Sequence, residues 1–221
     1  MDLRLWLRRT PGRLRNGVAD NRHLDFFFDF LSPFAYLAHG EVMELCERHD
    51  LELRYLPIDL AAAKAAAGNT GPPNRDIPVK LRYLLRDIER WAEHYGGLPV
   101  KFPKSLESRR MNIGTFYAVA RGQAPAYVTA GFHAGWGLGG DLNDDSVLRA
   151  LARGMGWDDD DFLAFLAAPS GQAAYEASNA EARSRGVFGV PTMMIADEMW
   201  WGNDRLFFIE AFLGRHSATG A

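Results

Sequence analysis

A chain of 221 residues with 48% hydrophobic content can bury one sizeable core, either as a single domain or as a small domain with an insertion. Its 25 Lys and Arg against 28 Asp and Glu, a formal net charge of −3, leave no electrostatic footprint for nucleic acid, and no apolar run approaches the ~20 residues that cross a bilayer. A single cysteine, Cys46, excludes an internal disulfide and fits a reducing cytoplasm. Cys46 falls on the apolar face of the first helix, the position of a buried structural thiol.

Residues 1–22 are arginine-rich, with breaks at Thr10-Pro11-Gly12 and Asn16-Gly17, and lack the apolar stretch of a secretory signal. A mobile N-terminal extension with no catalytic part is expected there. From Leu24 an apolar, aromatic run of strand length reaches Ser32-Pro33, after which Phe34, Leu37, Ala38, Val42 and Leu45 recur at helical spacing. Serine is a favoured N-cap and proline a favoured first helical residue, so this strand-to-helix boundary is specified twice. Leu51, Leu53 and Tyr55 then alternate with Glu52 and Arg54, the pattern of a half-exposed strand, which completes a strand-helix-strand unit with parallel strands and a right-handed crossover.

Helices follow. An alanine-rich one over 60–67 carries Lys64 and stops at Gly68. Asn69 to Arg75 reads as a loop, because its glycine and prolines deny regular hydrogen bonding. Further helices are expected from Pro78 to Gly96-Gly97, over 108–121, over 125–136, from Val147 to Gly156, after Asp158–Asp161 and over 170–185. The four acids at 158–161 suit a helix N-terminus and lack the alternating spacing and glycine turn of a calcium loop, so no metal site is assigned. The chain then returns to sheet: Val187 to Thr192 leads into Met193-Met194-Ile195, Ala196-Asp197-Glu198 turns, and Met199-Trp200-Trp201 completes a hairpin. Gly202-Asn203-Asp204-Arg205 opens a final helix with Asn203 or Asp204 as its cap. One sheet domain interrupted by helices is the arrangement this order describes.

A helix N-terminus leaving a central strand presents unpaired N–H groups and the positive end of a dipole, which favour an anion. In thioredoxin-like folds this corner carries Cys-X-X-Cys; here it reads Ser32-Pro33-Phe34-Ala35, so dithiol chemistry is excluded at the corner. Ser32 is either a cap alone or a hydroxyl donor to a thiolate belonging to another molecule. Val190-Pro191, brought to that corner by completion of the sheet, is either an ordinary trans proline at a strand entrance or a cis bond beside backbone groups open to a peptide-like ligand. Asp204 is either a cap or an acceptor for a ligand ammonium, its neighbours' N–H groups suiting a carboxylate. Lys64, Asn74 and Arg75 offer donors to an organic carboxylate.

The strings Phe28-Asp29-Phe30-Leu31-Ser32-Pro33-Phe34, Ile58-Asp59-Leu60, Gly68 to Asp76, Ser108-Arg109-Arg110-Met111-Asn112, Val187 to Thr192 and Asp197 to Arg205 together resemble the 2-hydroxychromene-2-carboxylate isomerases, which belong to the glutathione-dependent kappa-class transferase and DsbA-like group. The resemblance runs from about Leu24 to Gly214. It implies an α/β fold, a thioredoxin-like sheet domain (23–60 and 186–216) interrupted by an all-helical insertion (61–185). It also implies a glutathione-dependent isomerase of aromatic hydrocarbon catabolism that interconverts 2-hydroxychromene-2-carboxylate and trans-o-hydroxybenzylidenepyruvate, in a cytoplasmic homodimer. By match, Ser32 is the catalytic serine, Val190, Trp201, Gly202, Asn203 and Asp204 join it in the glutathione site, and Lys64, Asn74 and Arg75 fall on substrate-binding positions. Leu106 stands where the naphthalene-pathway enzyme has a cavity-lining tyrosine. The alternatives are a kappa-class transferase that conjugates electrophiles, and a non-catalytic module that binds peptides in the same cleft.

Overall fold

The computed structural model describes residues 23–217, with side chains through Arg215; the extension expected over 1–22 lies outside the described residues. The sheet is four-stranded, in the order β2-β1-β3-β4. Its centre is β1 (His23–Phe28), which pairs parallel with β2 (Glu52–Pro57) and antiparallel with β3 (Thr192–Ile195), and β3 pairs antiparallel with β4 (Glu198–Trp201). Alternation along β1 sends Leu24, Phe26 and Phe28 to one face and Phe27 to the other, and helices cover both faces. The first three residues join a large core that includes α1 (Pro33–Arg48) and Phe132, while Phe27 packs in a second cluster with Leu56, Ala63, Ala182, Val187 and Val190. The central strand is thus largely apolar because neither side meets water, and its one buried carboxylate, Asp25, is paired with Arg54 at 2.9 Å and with Arg185.

Between β2 and β3 the chain forms α2 (Leu60–Ala66), α3 (Pro78–His94), α4 (Arg109–Val119), α5 (Ala124–Phe132), α6 (Asp145–Gly154), α7 (Asp159–Ala167) and α8 (Pro169–Ser184); α9 (Leu206–Ser217) closes the described chain. None of the described helices is long and apolar enough to cross a membrane. Cys46 is buried, and that burial pushes its thiol up to about 12. Asp158 caps α7 by accepting from Asp160 N at 3.0 Å and Asp161 N at 2.9 Å, while Arg149 holds Asp159 at 3.2 Å and Asp160 at 2.7 Å.

The structure corrects several element readings. β2 is exposed at Glu52 only, and Tyr55, Leu56 and Pro57 are all buried, because its second half runs between the two helical layers and Tyr55 bonds His39 of α1 at 3.0 Å. The helix read over 125–136 ends at Phe132 and gives way to a π turn, His133–Gly137, which delivers Trp136 Nε1 to the carbonyl of Phe30 at 2.8 Å. Asn74 and Arg75, read as loop, join Asp76 in a 3₁₀ turn. The final helix is preceded by a 3₁₀ turn over Asn203–Arg205, and neither Asn203 nor Asp204 makes a capping bond there; the Asp204 carboxylate pairs with Arg205 instead.

Candidate active site

The site begins where β1 ends. Asp29 accepts Leu31 N on its carboxylate at 3.0 Å and Ser32 N on its carbonyl at 2.9 Å, which folds the chain into a tight turn. Ser32 follows with extended backbone (φ −89°, ψ 113°), its Oγ accepts from Ala35 N at 3.2 Å, and Pro33 opens α1. The cap expected at this boundary is therefore formed. That bond is the one Oγ makes among the described residues, so the hydroxyl hydrogen remains available to donate. No acidic residue stands in the first turn of α1, which leaves the positive end of its dipole without a counter-charge of its own. Ser32 is 3% exposed.

Facing this corner, the Val190-Pro191 bond is cis, which settles the alternative left open by sequence. Pro191 accepts Gly202 N at 2.9 Å and Gly189 accepts Thr192 Oγ1 at 2.7 Å, so the loop is tied on both sides of Val190. Among the described residues neither the N–H nor the C=O of Val190 has a hydrogen-bond partner, although the residue is buried. Backbone groups inside a protein are almost always paired, so these two are free to pair with the backbone of a ligand in the adjoining cleft. A cleft of about 290 Å³ opens here between Phe34, Trp91, Val190, Trp201, Asn203 and Asp204. Trp201 is set by its neighbours: Phe188 meets it edge-on at 4.9 Å, and a Cβ on Gly189 would lie 2.6 Å from its Nε1. Gly202 sits at φ +111°, where a side chain would be strained and would strike Asp204.

Asn203 is 6% exposed and its Nδ2 has no partner among the described residues, while its carbonyl accepts Tyr95 OH at 3.1 Å; burial pushes that phenol up to about 12. A buried amide donor left bare costs on the order of 1–3 kcal/mol unless something meets it. The structure therefore brings Val190, Trp201, Gly202, Asn203 and Asp204 into one cleft. Ser32 is not part of its lining; Phe34, on the first turn of α1, is.

Lys64, Asn74 and Arg75 form a separate, more open group. Lys64 is half-buried on α2; burial and the Arg75 charge lower its ammonium pKa, and the Asp29 charge opposes them. Lys64, Arg75 and Asp29 consequently share one electrostatic neighbourhood. Asn74 is exposed and accepts Lys80 Nζ at 3.3 Å, and Arg75 lies 3.8 Å from Asp76. Leu106 is 59% exposed.

Two groups escaped the sequence reading. Trp91 and Asp87 of α3 line the cleft, although the helical stripe of α3 places Trp91 among core residues. Asp29 is 4% exposed and bonds Ser108 Oγ at 2.6 Å, Asn112 Nδ2 at 3.3 Å and Leu60 N at 3.2 Å. A carboxylate inside an aromatic strand run was the available signal for it, since such a group must find donors when buried.

The DSBA-like thioredoxin domain family matches residues 23–214. A 2-hydroxychromene-2-carboxylate isomerase of Pseudomonas putida is 48% identical over 192 residues, 87% of this chain and 94% of its own length. The chain belongs to the 2-hydroxychromene-2-carboxylate isomerase family. A solved structure of such an isomerase superposes with a TM-score of 0.84 at 47% identity, covering 89% of this chain and 96% of that one. A distant relation extends to Glutathione S-transferase kappa 1 of Caenorhabditis elegans, 31% identical over 74 residues, 33% of this chain and 31% of its own. This isomerase-family chain thus has a DsbA-like thioredoxin fold whose strand-to-helix corner carries Ser32 and Ala35 in place of a cysteine pair.

Proposed function

We propose that this isomerase-family chain interconverts 2-hydroxychromene-2-carboxylate and trans-o-hydroxybenzylidenepyruvate, or a close polycyclic analogue, in aromatic hydrocarbon catabolism, with glutathione as a cofactor that is not consumed. The observation that carries the cofactor is the pair of unsatisfied recognition groups in one cleft, the Val190 backbone and Asn203 Nδ2. They fit glutathione: a cysteinyl backbone pairs with Val190 as an added strand would, and Asn203 Nδ2 donates to the γ-glutamyl carboxylate. Asp204 and the bare start of α1 then take the ammonium and the sulfur. The distant kappa-class relation supports the same reading.

When bound, glutathione supplies a thiolate whose reversible addition to the conjugated double bond leaves a single bond free to rotate. Ser32 donates its hydroxyl hydrogen to that sulfur, and the N-terminus of α1, with no acidic residue in its first turn, favours the negative charge. Trp201, fixed by Phe188 and Gly189, keeps the cysteinyl segment against Val190. Lys64 and Arg75 hold the substrate carboxylate, with Asn74 at the rim, so the reacting carbon is presented to the sulfur in one orientation. Leu106, open to solvent, admits rings of different size.

Calorimetry with glutathione, combined with free-thiol counting during turnover, tests this reading. Binding with an unchanged thiol count is expected. A stoichiometric fall in thiol would identify a conjugating transferase, and binding without isomerisation would identify a non-catalytic module. We place the enzyme in the cytoplasm, as its single buried cysteine suits. We also propose a homodimer, which exposed Phe207 and Phe208 of α9 support and sedimentation would check.

A further inference from the structure

The Asp29 side chain bonds both the segment that leads into Ser32 and the start of α2. Its Oδ1 accepts Leu31 N at 3.0 Å, Ser108 Oγ at 2.6 Å and Asn112 Nδ2 at 3.3 Å, and its Oδ2 accepts Leu60 N at 3.2 Å. Leu31 is the residue before the Ser32 cap. Leu60 is the first residue of α2, and Lys64 lies one turn further on, on the same helix face. Ser108, the residue before α4, and Asn112 of α4 anchor the carboxylate, and Asn112 also donates to Ile58 O at 3.4 Å and accepts Phe30 N at 3.3 Å.

Resting on the glutathione reading above, we infer that Asp29 is a positioning residue that fixes the Lys64 wall at its working distance from the Ser32 corner, acting through Leu60 N on one oxygen and Leu31 N on the other. The start of α2 has few other ties: Asp59 N donates to Asn179 Oδ1 at 2.8 Å, and the Asp59 side chain caps Ala62 N at 2.9 Å within the helix itself. Burial raises the Asp29 pKa while its hydrogen bonds to Ser108, Leu31, Leu60 and Asn112 pull it down. Since the backbone and Asn112 groups around it are donors, the ionised carboxylate is the form the geometry satisfies.

The asymmetry of those bonds makes the inference testable with an isosteric change. In Asp29→Asn the amide oxygen must face the three donors at the Oδ1 position, because the reverse orientation would oppose three donors with an NH₂ instead of one. The Leu31 tie then survives and the Leu60 tie becomes a donor facing a donor. The variant should keep its glutathione dissociation constant within about twofold while the KM for the aromatic carboxylate rises about tenfold, the scale of one lost hydrogen bond to a charged group. Asp29→Ala removes both ties and should weaken both.

Amide hydrogen exchange supplies a readout independent of activity. In Asp29→Asn the amides of 60–64 should exchange faster while those of 31–36 keep the parent rates. Equal acceleration of both segments, or a lowered melting temperature with KM and glutathione affinity unchanged, would overturn the role by making Asp29 a fold support only. If the parent protein binds no glutathione, the functional reading fails, and the exchange pattern still decides whether Asp29 holds α2 to the Ser32 corner.

Discussion

Ser32, Val190 and Asn203 are 3%, 9% and 6% exposed, whereas Asn74 and Arg75 stand in an exposed turn and Lys64 is half-buried on a seven-residue helix. The first group is held by the protein itself, Ser32 by its turn onto the Asp29 carbonyl, Val190 beside the Gly202 N bond to Pro191 O, and Asn203 by Tyr95 OH, so its positions are set before any ligand arrives. The second is made of long charged side chains on a short helix and a proline-rich loop, where ordering entropy must be overcome by each interaction with a ligand. On the glutathione reading proposed above, the contrast suits two tasks: one invariant cofactor against the buried wall, and a substrate ring of variable size against the open one. In energetic terms, removing a hydrogen-bonding group from the buried wall should weigh more than removing one from the open wall.

Ser32→Ala strikes the buried wall hardest. Loss of the donor to sulfur should lower turnover about 100-fold, the scale of removing one preorganised donor, while loss of the cap should cost only about 1 kcal/mol of stability. Turnover at the parent rate in a stopped assay would remove Ser32 from the chemistry. Lys64→Met should raise the KM for the aromatic carboxylate some ~10- to 30-fold through loss of a half-buried charged donor, with glutathione affinity unchanged by calorimetry. A matching loss of glutathione affinity would merge the two walls into one.

Beneath the buried wall, His39 packs against Phe26 at 6.0 Å and its pKa is lowered by burial from 6.5 to about 3. Below pH 6.5 the unfolded chain takes up a proton that the folded chain refuses, so stability present above pH 6.5 falls as pH drops toward about 3, by up to about 1.4 kcal/mol per unit. The raised pKa of Asp29 acts in the opposite direction, since the folded state binds that proton more tightly. Chemical denaturation of the parent and His39→Gln across this window isolates the histidine, and the variant should show the flatter acid limb. Arg75→Ala should be mildest, a KM change below about fivefold, because exposed ion pairs contribute at most about 1 kcal/mol.

Local chemistry made much of the fold legible. Ser32-Pro33 announced both the end of the first strand and the cap of α1, the Ala196-Asp197 turn announced the β3-β4 hairpin, and glycines at 68, 96, 156 and 186 marked helix ends at positive φ. What stayed hidden depended on long-range partners. Ser108 and Asn112 lie 79 and 83 residues from Asp29, and no spacing rule connects them. The π turn at His133–Gly137 escaped because helical periodicity does not register a single wide turn, and it is the Trp136 bond to Phe30 that gives this turn its purpose. Asp204 looked like a cap because its residue type suits one, but the neighbouring Arg205 offers a stronger partner.

We propose that the buried wall holds glutathione for an isomerisation. The most direct measurement is the ultraviolet absorbance change of 2-hydroxychromene-2-carboxylate with purified, glutathione-free enzyme, followed by addition of glutathione. No enzymatic conversion is expected before the addition, and a rapid approach to equilibrium after it, at catalytic cofactor concentrations. Full turnover without glutathione would contradict the proposal.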